Sequence, residues 1–149
     1  MTTGVVAHLF WMGKVLLILR DQGEGFADPG LWDSVTETLE PGEDLEAGMR
    51  RGLEEEICMV PGDLRFLGLT RAGHGFFVGV ITDAERHLVR LGSEGVMIGF
   101  VPLEELSKFK LGGALRNHLE AYPQAFEKMS RGIYPEPHEL GLSALILTL

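Results

Sequence analysis

The feature that most constrains this chain is an acidic segment that also has the pattern of a helix. Between Asp33 and Glu56 there are nine acidic and two basic residues, a formal charge of −7, whereas the whole 149-residue chain carries −9. The turn-forming pair Pro41-Gly42 precedes Asp44, which predicts a helix N-cap. Small and apolar residues then recur at helical spacing. They are Leu45, Gly48, Met49, Gly52, Leu53 and Ile57.

Three consecutive glutamates, Glu54 to Glu56, fall in the last turn before the expected end of this helix at Cys58. The carbonyl end of a helix is negative, so each carboxylate there costs about 0.3–1 kcal/mol. Repulsion between neighbouring carboxylates adds ~1–4 kcal/mol, depending on the local dielectric. A solvated acidic helix is one interpretation. A bound divalent cation is the other, since it would reverse both penalties, and carboxylate ligands suit Mg²⁺ or Mn²⁺ better than zinc.

Length and composition indicate one domain over residues 1–149, with a core at about 4–130 and an apolar C-terminal extension at 131–149. The single cysteine excludes an internal disulfide framework and a clustered-thiol zinc site. No apolar run is long enough to span a bilayer, and no basic residue precedes the apolar segment Val5–Phe10. We therefore expect a cytoplasmic protein without a membrane segment. The acidic balance argues against nucleic acid as a partner.

Apolar runs on both sides of the acidic segment predict strands. Val5–Phe10 and Lys14–Arg20 are expected to form a hairpin, followed by a long loop over Asp21–Gly30 and an irregular stretch at Trp32–Leu39. Further strands are predicted at Phe66–Thr70, Phe76–Ile81 and Val96–Val101, and helices from Pro102 and over Leu111–Phe126 with a break near Pro123. Strands with interspersed helices indicate an α/β or α+β domain.

The acidic segment resembles the sequence box of the Nudix hydrolases, Gly-x5-Glu-x7-Arg-Glu-U-x-Glu-Glu-x-Gly-U, in which U is a bulky aliphatic residue. The box aligns with Glu37 to Met59, and six of its nine fixed positions match. The matching residues are Glu43, Arg51, Leu53, Glu55, Glu56 and Met59. Trp32 and the segment Phe100–Leu106 are also similar to the family. The resemblance implies the Nudix fold, an α/β fold with a mixed β-sheet sandwiched between helices.

The resemblance also implies a chemistry. Nudix hydrolases cleave the diphosphate linkage of nucleoside diphosphate derivatives or nucleoside di- and triphosphates with Mg²⁺ or Mn²⁺. Glu55 and Glu56 are the implied metal ligands, with Glu55 also the expected general base, and Glu43 is expected to pair with Arg51. Glu94, before a predicted strand, is a candidate further ligand or catalytic base.

Other residues are candidates for contacts with a small diphosphate or nucleotide substrate. Arg20, at the end of a predicted strand, could contact phosphate or simply lie at the surface. Trp32 or Phe10 could stack on a base or belong to the core, and His74 lies in a glycine-flanked turn. The apolar tail from Leu140 either completes the core or forms a homodimer interface.

Three departures from the box bear on activity. Glu37 replaces the first glycine, Gly52 replaces the glutamate after Arg51, and Cys58 replaces the second glycine. In the family the glutamate at the position of Gly52 is a principal metal ligand. We hypothesise that Glu37 supplies the missing carboxylate from the loop side of the site, the alternative being a solvent-facing loop residue.

Three other functions fit parts of the sequence. A Nudix-fold binding or regulatory module that has lost catalysis would be expected to lack a metal-binding glutamate, as at Gly52. Prenyl diphosphate isomerases share the fold but use a cysteine before the box, and no cysteine precedes Cys58 here. An acidic helix that binds a basic partner would leave the spacing of the box unexplained.

Overall fold

A mixed β-sheet forms the centre of the fold. A computed structural model describes residues 3–20, 30–93 and 95–143, and within them the sheet has seven strands. The strands are β1 (Gly4–Trp11), β2 (Lys14–Leu19), β3 (Trp32–Asp33), β4 (Val35–Thr38), β5 (Asp63–Leu69), β6 (Gly75–Val80) and β7 (Met97–Pro102). β1 runs parallel to β6 and antiparallel to β2 and β4. β2 also pairs with β3 and β7, and β5 pairs with β6.

Helices cover both faces of this sheet. They are α1 (Leu45–Ile57), α2 (Asp83–Arg86), α3 (Gly113–Ala121) and α4 (Pro123–Ser130), with 3₁₀ helices at Leu103–Lys108 and Pro137–Leu140. The predicted break near Pro123 is confirmed, because α3 ends at Ala121 and Pro123 begins α4. Proline is suited to the first turn of a helix, where its missing N–H would have no intrahelical partner.

Alternate residues of β1 point into two separate cores. Val5 and Leu9 pack on the face covered by α1, whereas Val6 and Phe10 pack on the face covered by α3 and α4. Because both faces are buried, β1 is apolar along its length apart from His8. The predicted α/β fold, with a mixed sheet sandwiched between helices, is therefore confirmed.

Local sequence signals fix helix α1 and the β1–β2 hairpin. Asp44 caps α1 as predicted, since its carboxylate accepts a hydrogen bond of 2.7 Å from the backbone N–H of Ala47. The predicted β1–β2 hairpin turns at Met12 and Gly13, whose φ angles of 48° and 75° match the turns that favour hairpins. A Cβ on Gly48 would lie 2.1 Å from Leu39 Cδ2, so this glycine lets the chain after β4 pack closely on α1.

The structure differs from the sequence prediction in several elements. The stretch Trp32–Leu39, predicted to be irregular, contains β3 and β4, and β4 pairs with β1 over Val35–Thr38. β5 begins at Asp63 rather than Phe66, and α2, which has a Thr82–Glu85 capping box, was not predicted. Most of the predicted loop and the last residues of the tail, 21–29 and 144–149, lie outside the described residues. Among the described helices, none has the length and apolar character needed to cross a membrane.

Candidate active site

Glu43 and Arg51 form a bidentate ion pair that connects the segment before α1 to the helix. Arg51 Nε and Nη2 donate to the two carboxylate oxygens of Glu43, each over 2.9 Å. Nη2 also donates to the carbonyl of Thr38 at the end of β4. These bonds from Arg51 lower the pKa of Glu43 to about 2. Arg51 thereby fixes β4, the turn after it and α1 relative to one another.

Glu56 is buried together with Arg20. The side chains are 1% and 3% exposed, and Arg20 Nη1 donates to Glu56 Oε1 over 2.7 Å. Arg20 Nη2 donates to the carbonyl of Ser34 and to Thr36 Oγ1. From the sequence, Arg20 could either contact phosphate or lie at the surface. The structure buries it against the acidic end of α1, where it holds the Glu56 carboxylate.

The acidic end of α1 is also stabilised through its backbone. The carbonyls of Glu55, Glu56 and Ile57 accept hydrogen bonds from the amides of Ser93, Gly92 and Arg90, respectively. Glu55 itself is half-exposed, with its carboxylate 3.4 Å from Arg51 Nη1. Arg20 and Arg51 therefore supply part of the positive charge that the sequence prediction assigned to a bound cation.

Glu37 lies against Gly52. It is on strand β4, paired in register with Val5 of β1, and not on a loop as the sequence suggested. A Cβ placed on Gly52 would lie 2.9 Å from Glu37 Cβ and 3.4 Å from Glu37 Oε2. The Glu37 side chain is 18% exposed and its Oε1 lies 3.4 Å from Arg51 Nη1. Burial raises the pKa of Glu37, and the charge of Arg51 opposes that rise.

A cavity of about 420 Å³ begins at Glu37 and extends along the first strand. Its walls come from the start of β1, from β4, from the turn between β5 and β6, and from the first half of α3. The lining residues are Gly4, Val5, Val6, Thr36, Glu37, Thr70, Arg71, Ala72, His74, Gly113, Ala114, Asn117 and His118. This volume is within the range of small-molecule binding sites.

Two histidines of the cavity wall have defined hydrogen-bonding roles. His74 Nδ1 accepts from the backbone N–H of Gly4 over 2.9 Å, so a neutral ring carries its proton on Nε2. His118 Nδ1 is 2.8 Å from the carbonyl of Ala114, so this nitrogen is the donor. Burial lowers the pKa of His118, which favours the uncharged ring. The wall therefore offers neutral hydrogen-bonding groups besides the guanidinium of Arg71.

Several other predicted site residues have structural positions. The Trp32 ring packs on Phe109 at 5.4 Å between centroids, and Trp32 is not one of the residues that line the cavity. Phe10 is buried in the core, which is the second of the two alternatives that the sequence left open for it. Cys58 ends α1 with a left-handed backbone, φ 63°. Glu94 lies outside the described residues.

The carboxylates at Gly52 fit a hard divalent cation in their chemistry. Glu37, Glu55 and Glu56 offer oxygen ligands only, which is the donor set of Mg²⁺ and Mn²⁺. Among the described residues, no three His, Cys, Asp or Glu side chains are close enough to hold an ion in this conformation. Arg51 contacts both Glu37 and Glu55, so the charge of a guanidinium lies between those two carboxylates.

Most of the cavity wall was not found from the sequence. His74 was a candidate because glycines flank it in a turn, whereas Thr36, Asn117 and His118 carried no such signal. They come from β4 and α3, which are far apart along the chain. Spacing within one element cannot reveal a site assembled in this way.

Comparisons with known proteins give a family match and structural neighbours. Residues 1–123 match the family model described as NUDIX domain. The NUDIX domain of Shewanella oneidensis NrtR, solved in complex with ADP ribose, is 22% identical with a TM-score of 0.64, covering 85% of this chain and 87% of that one. A MutT structure, from work on Aliivibrio salmonicida and Vibrio cholerae MutT, is 20% identical with a TM-score of 0.61, covering 89% and 98%.

An ADP-ribose pyrophosphatase from Streptococcus suis is 18% identical with a TM-score of 0.55, covering 74% of this chain and 78% of that one. A search of curated protein sequences finds no match. At these identities the structural neighbours establish the fold alone.

Proposed function

Since this chain belongs to the NUDIX domain family, we propose that it hydrolyses the diphosphate linkage of a small molecule in the presence of Mg²⁺ or Mn²⁺. The substrate class is a nucleoside diphosphate derivative or a nucleoside di- or triphosphate. One observation carries the proposal: Glu37 belongs both to the wall of the 420 Å³ cavity and to the carboxylates around Gly52. A molecule whose organic part fills the cavity would place its diphosphate beside those carboxylates.

The cavity is suited to the uncharged part of such a substrate. Its wall combines apolar contacts from Val5 and Val6 with the polar side chains of His74, Asn117 and His118. Neutral donors and acceptors of this kind favour a nucleobase or a sugar over a second charged group. Arg71 is the exposed cation of the wall and is suited to a phosphate oxygen.

The charge around Gly52 favours a cation-dependent reaction. Within the described part of the chain, the carboxylates of Glu37, Glu55 and Glu56 face the guanidinium groups of Arg20 and Arg51. Arg51 is further neutralised by Glu43. An anionic diphosphate would therefore meet net negative charge unless a cation accompanied it.

Each proposed catalytic residue has a distinct part. Glu55 and Glu56 would hold the cation, which when bound supplies charge neutralisation of the diphosphate and acidifies bound water. Glu55, half-exposed at the helix edge, would accept the proton of the attacking water. Arg20 orients the Glu56 carboxylate from below. Glu94 stays a candidate for a further ligand or base.

The experiment is a hydrolysis screen with the full chain in Mg²⁺, in Mn²⁺ and in EDTA. Its substrates are nucleoside di- and triphosphates, nucleotide sugars, dinucleoside polyphosphates and prenyl diphosphates. We expect metal-dependent release of phosphate or a nucleoside monophosphate, and a loss of at least about 100-fold in Glu55→Gln. Equal rates in wild type and Glu55→Gln would remove this residue from the mechanism.

A second function is favoured by a separate observation. Gly52 lacks the family's carboxylate, and both Glu55 and Glu56 have arginine partners. These features fit a binding module that retains its cavity without turnover. Saturable binding of a nucleotide, without product in either metal after prolonged incubation, would identify the chain as that module.

A further inference from the structure

We propose that His74 and His118, both in the cavity wall, select the ligand of the cavity and favour a nucleobase with an exocyclic amino group. His74 donates a hydrogen bond to the base from Nε2, and His118 accepts one at Nε2 from the amino group. The inference rests on the proposed function, because it names the part of the substrate that the cavity recognises. It does not depend on a metal ion.

The role of each Nε2 atom follows from the partner of Nδ1 in the same ring. In His74, Nδ1 lies 2.9 Å from the backbone N–H of Gly4, so Nδ1 accepts and the neutral ring carries its proton on Nε2. In His118, Nδ1 lies 2.8 Å from the carbonyl of Ala114, so Nδ1 donates and Nε2 keeps its lone pair. The two rings therefore present opposite groups at Nε2, one donor and one acceptor.

Both rings are held in place. The turn that carries His74 is closed by a hydrogen bond from the amide of Thr70 to the His74 carbonyl and by another from the His74 amide to Thr70 Oγ1. The His118 ring packs edge-on against Phe76, with 5.0 Å between the ring centroids. Neither ring can exchange the roles of its nitrogens without losing its backbone partner. The donor and the acceptor are thus fixed before a ligand enters.

The Nε2 atoms of both rings are open to the cavity. Within the described part of the chain, neither atom has a hydrogen-bond partner in the protein. Among the same residues, Nε2 of His8 is buried without a partner, whereas Nε2 of His74 and Nε2 of His118 are not buried. An unpartnered polar atom that faces a cavity is a group that a ligand can satisfy.

Fixed donors and acceptors distinguish between ligands whose own groups are fixed. A sugar hydroxyl donates or accepts, so it satisfies either histidine. Adenine, cytosine and guanine each combine an amino donor with acceptors on the ring. In uracil the ring N–H lies between two carbonyl oxygens, which would place an acceptor beside the lone pair of His118. Asn117, an exposed amide of the wall, can present either group, so selectivity rests on the two histidines.

The test measures the binding of phosphate-free nucleosides to the full chain in EDTA by NMR titration. Three pairs differ by one amino group: adenosine and purine riboside, cytidine and zebularine, and guanosine and inosine. The variants are His74→Asn and His118→Asn, because an asparagine amide takes the place of Nδ1 and has no group at Nε2. Each variant keeps the bond to the backbone and removes the contact with the ligand. His87→Asn is the matched control, since His87 is exposed at the end of α2 and outside the cavity wall.

In wild type, we expect the nucleoside with the amino group to bind about tenfold more tightly in at least one pair. His118→Asn should reduce this ratio to about one, because the acceptor of the amino group is lost. His74→Asn should weaken both members of that pair by a similar factor, since both keep the ring acceptor. His87→Asn should bind as wild type does. A purely structural role would instead weaken all ligands alike in both variants.

The positions of the imidazole protons are measured in wild type, without any substitution. In ¹H–¹⁵N spectra of the histidine rings, we expect the proton of His74 on Nε2 and that of His118 on Nδ1. Both Nε2 resonances should shift when the tighter nucleoside is added. The opposite tautomers, no binding of any of the six nucleosides, equal affinities within all three pairs, or an unchanged ratio in His118→Asn would each overturn the proposal.

This result is separable from that of the hydrolysis screen. Selectivity between the paired nucleosides without hydrolysis of any diphosphate would uphold the recognition and reject the proposed reaction. Hydrolysis with equal affinities within every pair would uphold the reaction and overturn the recognition.

Discussion

The Arg20–Glu56 pair and His8 are polar groups buried on opposite faces of the sheet. On the α1 face, Arg20 and Glu56 are buried as a charged pair 2.7 Å apart. On the α3–α4 face, His8 is buried among Phe76, Phe126 and His118. Burial lowers the pKa of His8 well below its usual range, and the charge of His118 lowers it further, so this ring is neutral. The α1 face thus buries a charged pair, whereas the His8 ring buried on the other face is uncharged.

This difference separates two requirements of the proposed site. The proposed site needs carboxylates next to α1 to hold a cation and, through it, a diphosphate. Arg20 and Arg51 orient these carboxylates before any ligand binds. Neutral groups on the cavity side are suited to an uncharged moiety. A single sheet, with alternate residues facing the two layers, brings both environments to Glu37 and the start of β1.

We expect the largest change in the free energy of unfolding when one member of the buried Arg20–Glu56 pair is removed. Arg20→Met leaves Glu56 buried without its guanidinium, so we expect a loss of about 3–5 kcal/mol in the free energy of unfolding. The double variant Arg20→Met/Glu56→Leu should recover at least half of that loss, because it removes both charges. Urea unfolding at pH 7 measures both. A loss below about 1 kcal/mol in Arg20→Met would show that the pair is not a stability determinant.

We expect the free energy of unfolding to fall in acid because of the two histidines on the α3–α4 face. The folded pKa values of His8 and His118 are depressed, so the unfolded state binds protons first. The stability is complete above the ordinary histidine pKa of about 6.5 and is lost as pH falls toward the folded values, by at most about 1.4 kcal/mol per pH unit for each ring. Urea unfolding from pH 7.5 to 5.0 measures this slope.

The variant His8→Phe should show a flatter pH dependence over that range, since it removes one of the two histidines whose pKa is lowered. His87→Gln is the control because His87 is exposed at the end of α2. If His8→Phe leaves the slope of the unfolding free energy against pH unchanged, or if His87→Gln changes it equally, groups other than His8 cause the loss of stability in acid.

The sequence predicted the regular elements well and the long-range contacts poorly. Asp44, the helical stripe and the apolar runs of β1 and β2 are local signals, so α1 and the hairpin were found. β4 was missed because Val35–Thr38 is short and becomes a strand through pairing with β1. Arg20 lies 36 residues from Glu56, and no local pattern shows that the two are buried together.

The glycines were the exception among the long-range features. Gly48 and Gly52 are unfavourable inside a helix, and a spacing of four puts both on one side of it, which indicates a close neighbour there. The structure identifies that neighbour as the chain from Glu37 to Leu39. The two glycines destabilise the helix, and no neighbouring residue offsets that cost. They therefore indicate a tertiary contact.

A substitution at Cys58, at the end of α1, should change stability by a smaller amount. Cys58 adopts φ 63°, close to the 64° of Gly141 after the second 3₁₀ helix, but Cys58 carries a side chain. We expect Cys58→Gly to raise the free energy of unfolding by about 0.5–1 kcal/mol, because glycine adopts this conformation without strain. Thermal unfolding measures the change. A destabilised Cys58→Gly would show that the thiol makes a compensating contact.

An exposed ion pair on the same helix should have the smallest effect. Arg50 and Glu46 are 3.4 Å apart, and their side chains are 55% and 67% exposed. Arg50→Gln should change the free energy of unfolding by less than about 0.5 kcal/mol, because solvent screens the pair. Urea unfolding under the conditions used for Arg20→Met gives a direct comparison. Equal losses of unfolding free energy in Arg50→Gln and Arg20→Met would mean that burial does not determine how much an ion pair contributes to stability.

The most direct test of the central claim is ³¹P NMR of the full chain with a diphosphate substrate from the screen, in Mg²⁺ and in EDTA. We predict that the diphosphate resonances are replaced by those of the products only in Mg²⁺. We also predict that Glu55→Gln, folded as judged by its unfolding temperature, slows this conversion at least about 100-fold. Unchanged diphosphate resonances in Mg²⁺, with the ligand shown to be bound, would contradict hydrolysis and identify a binding module.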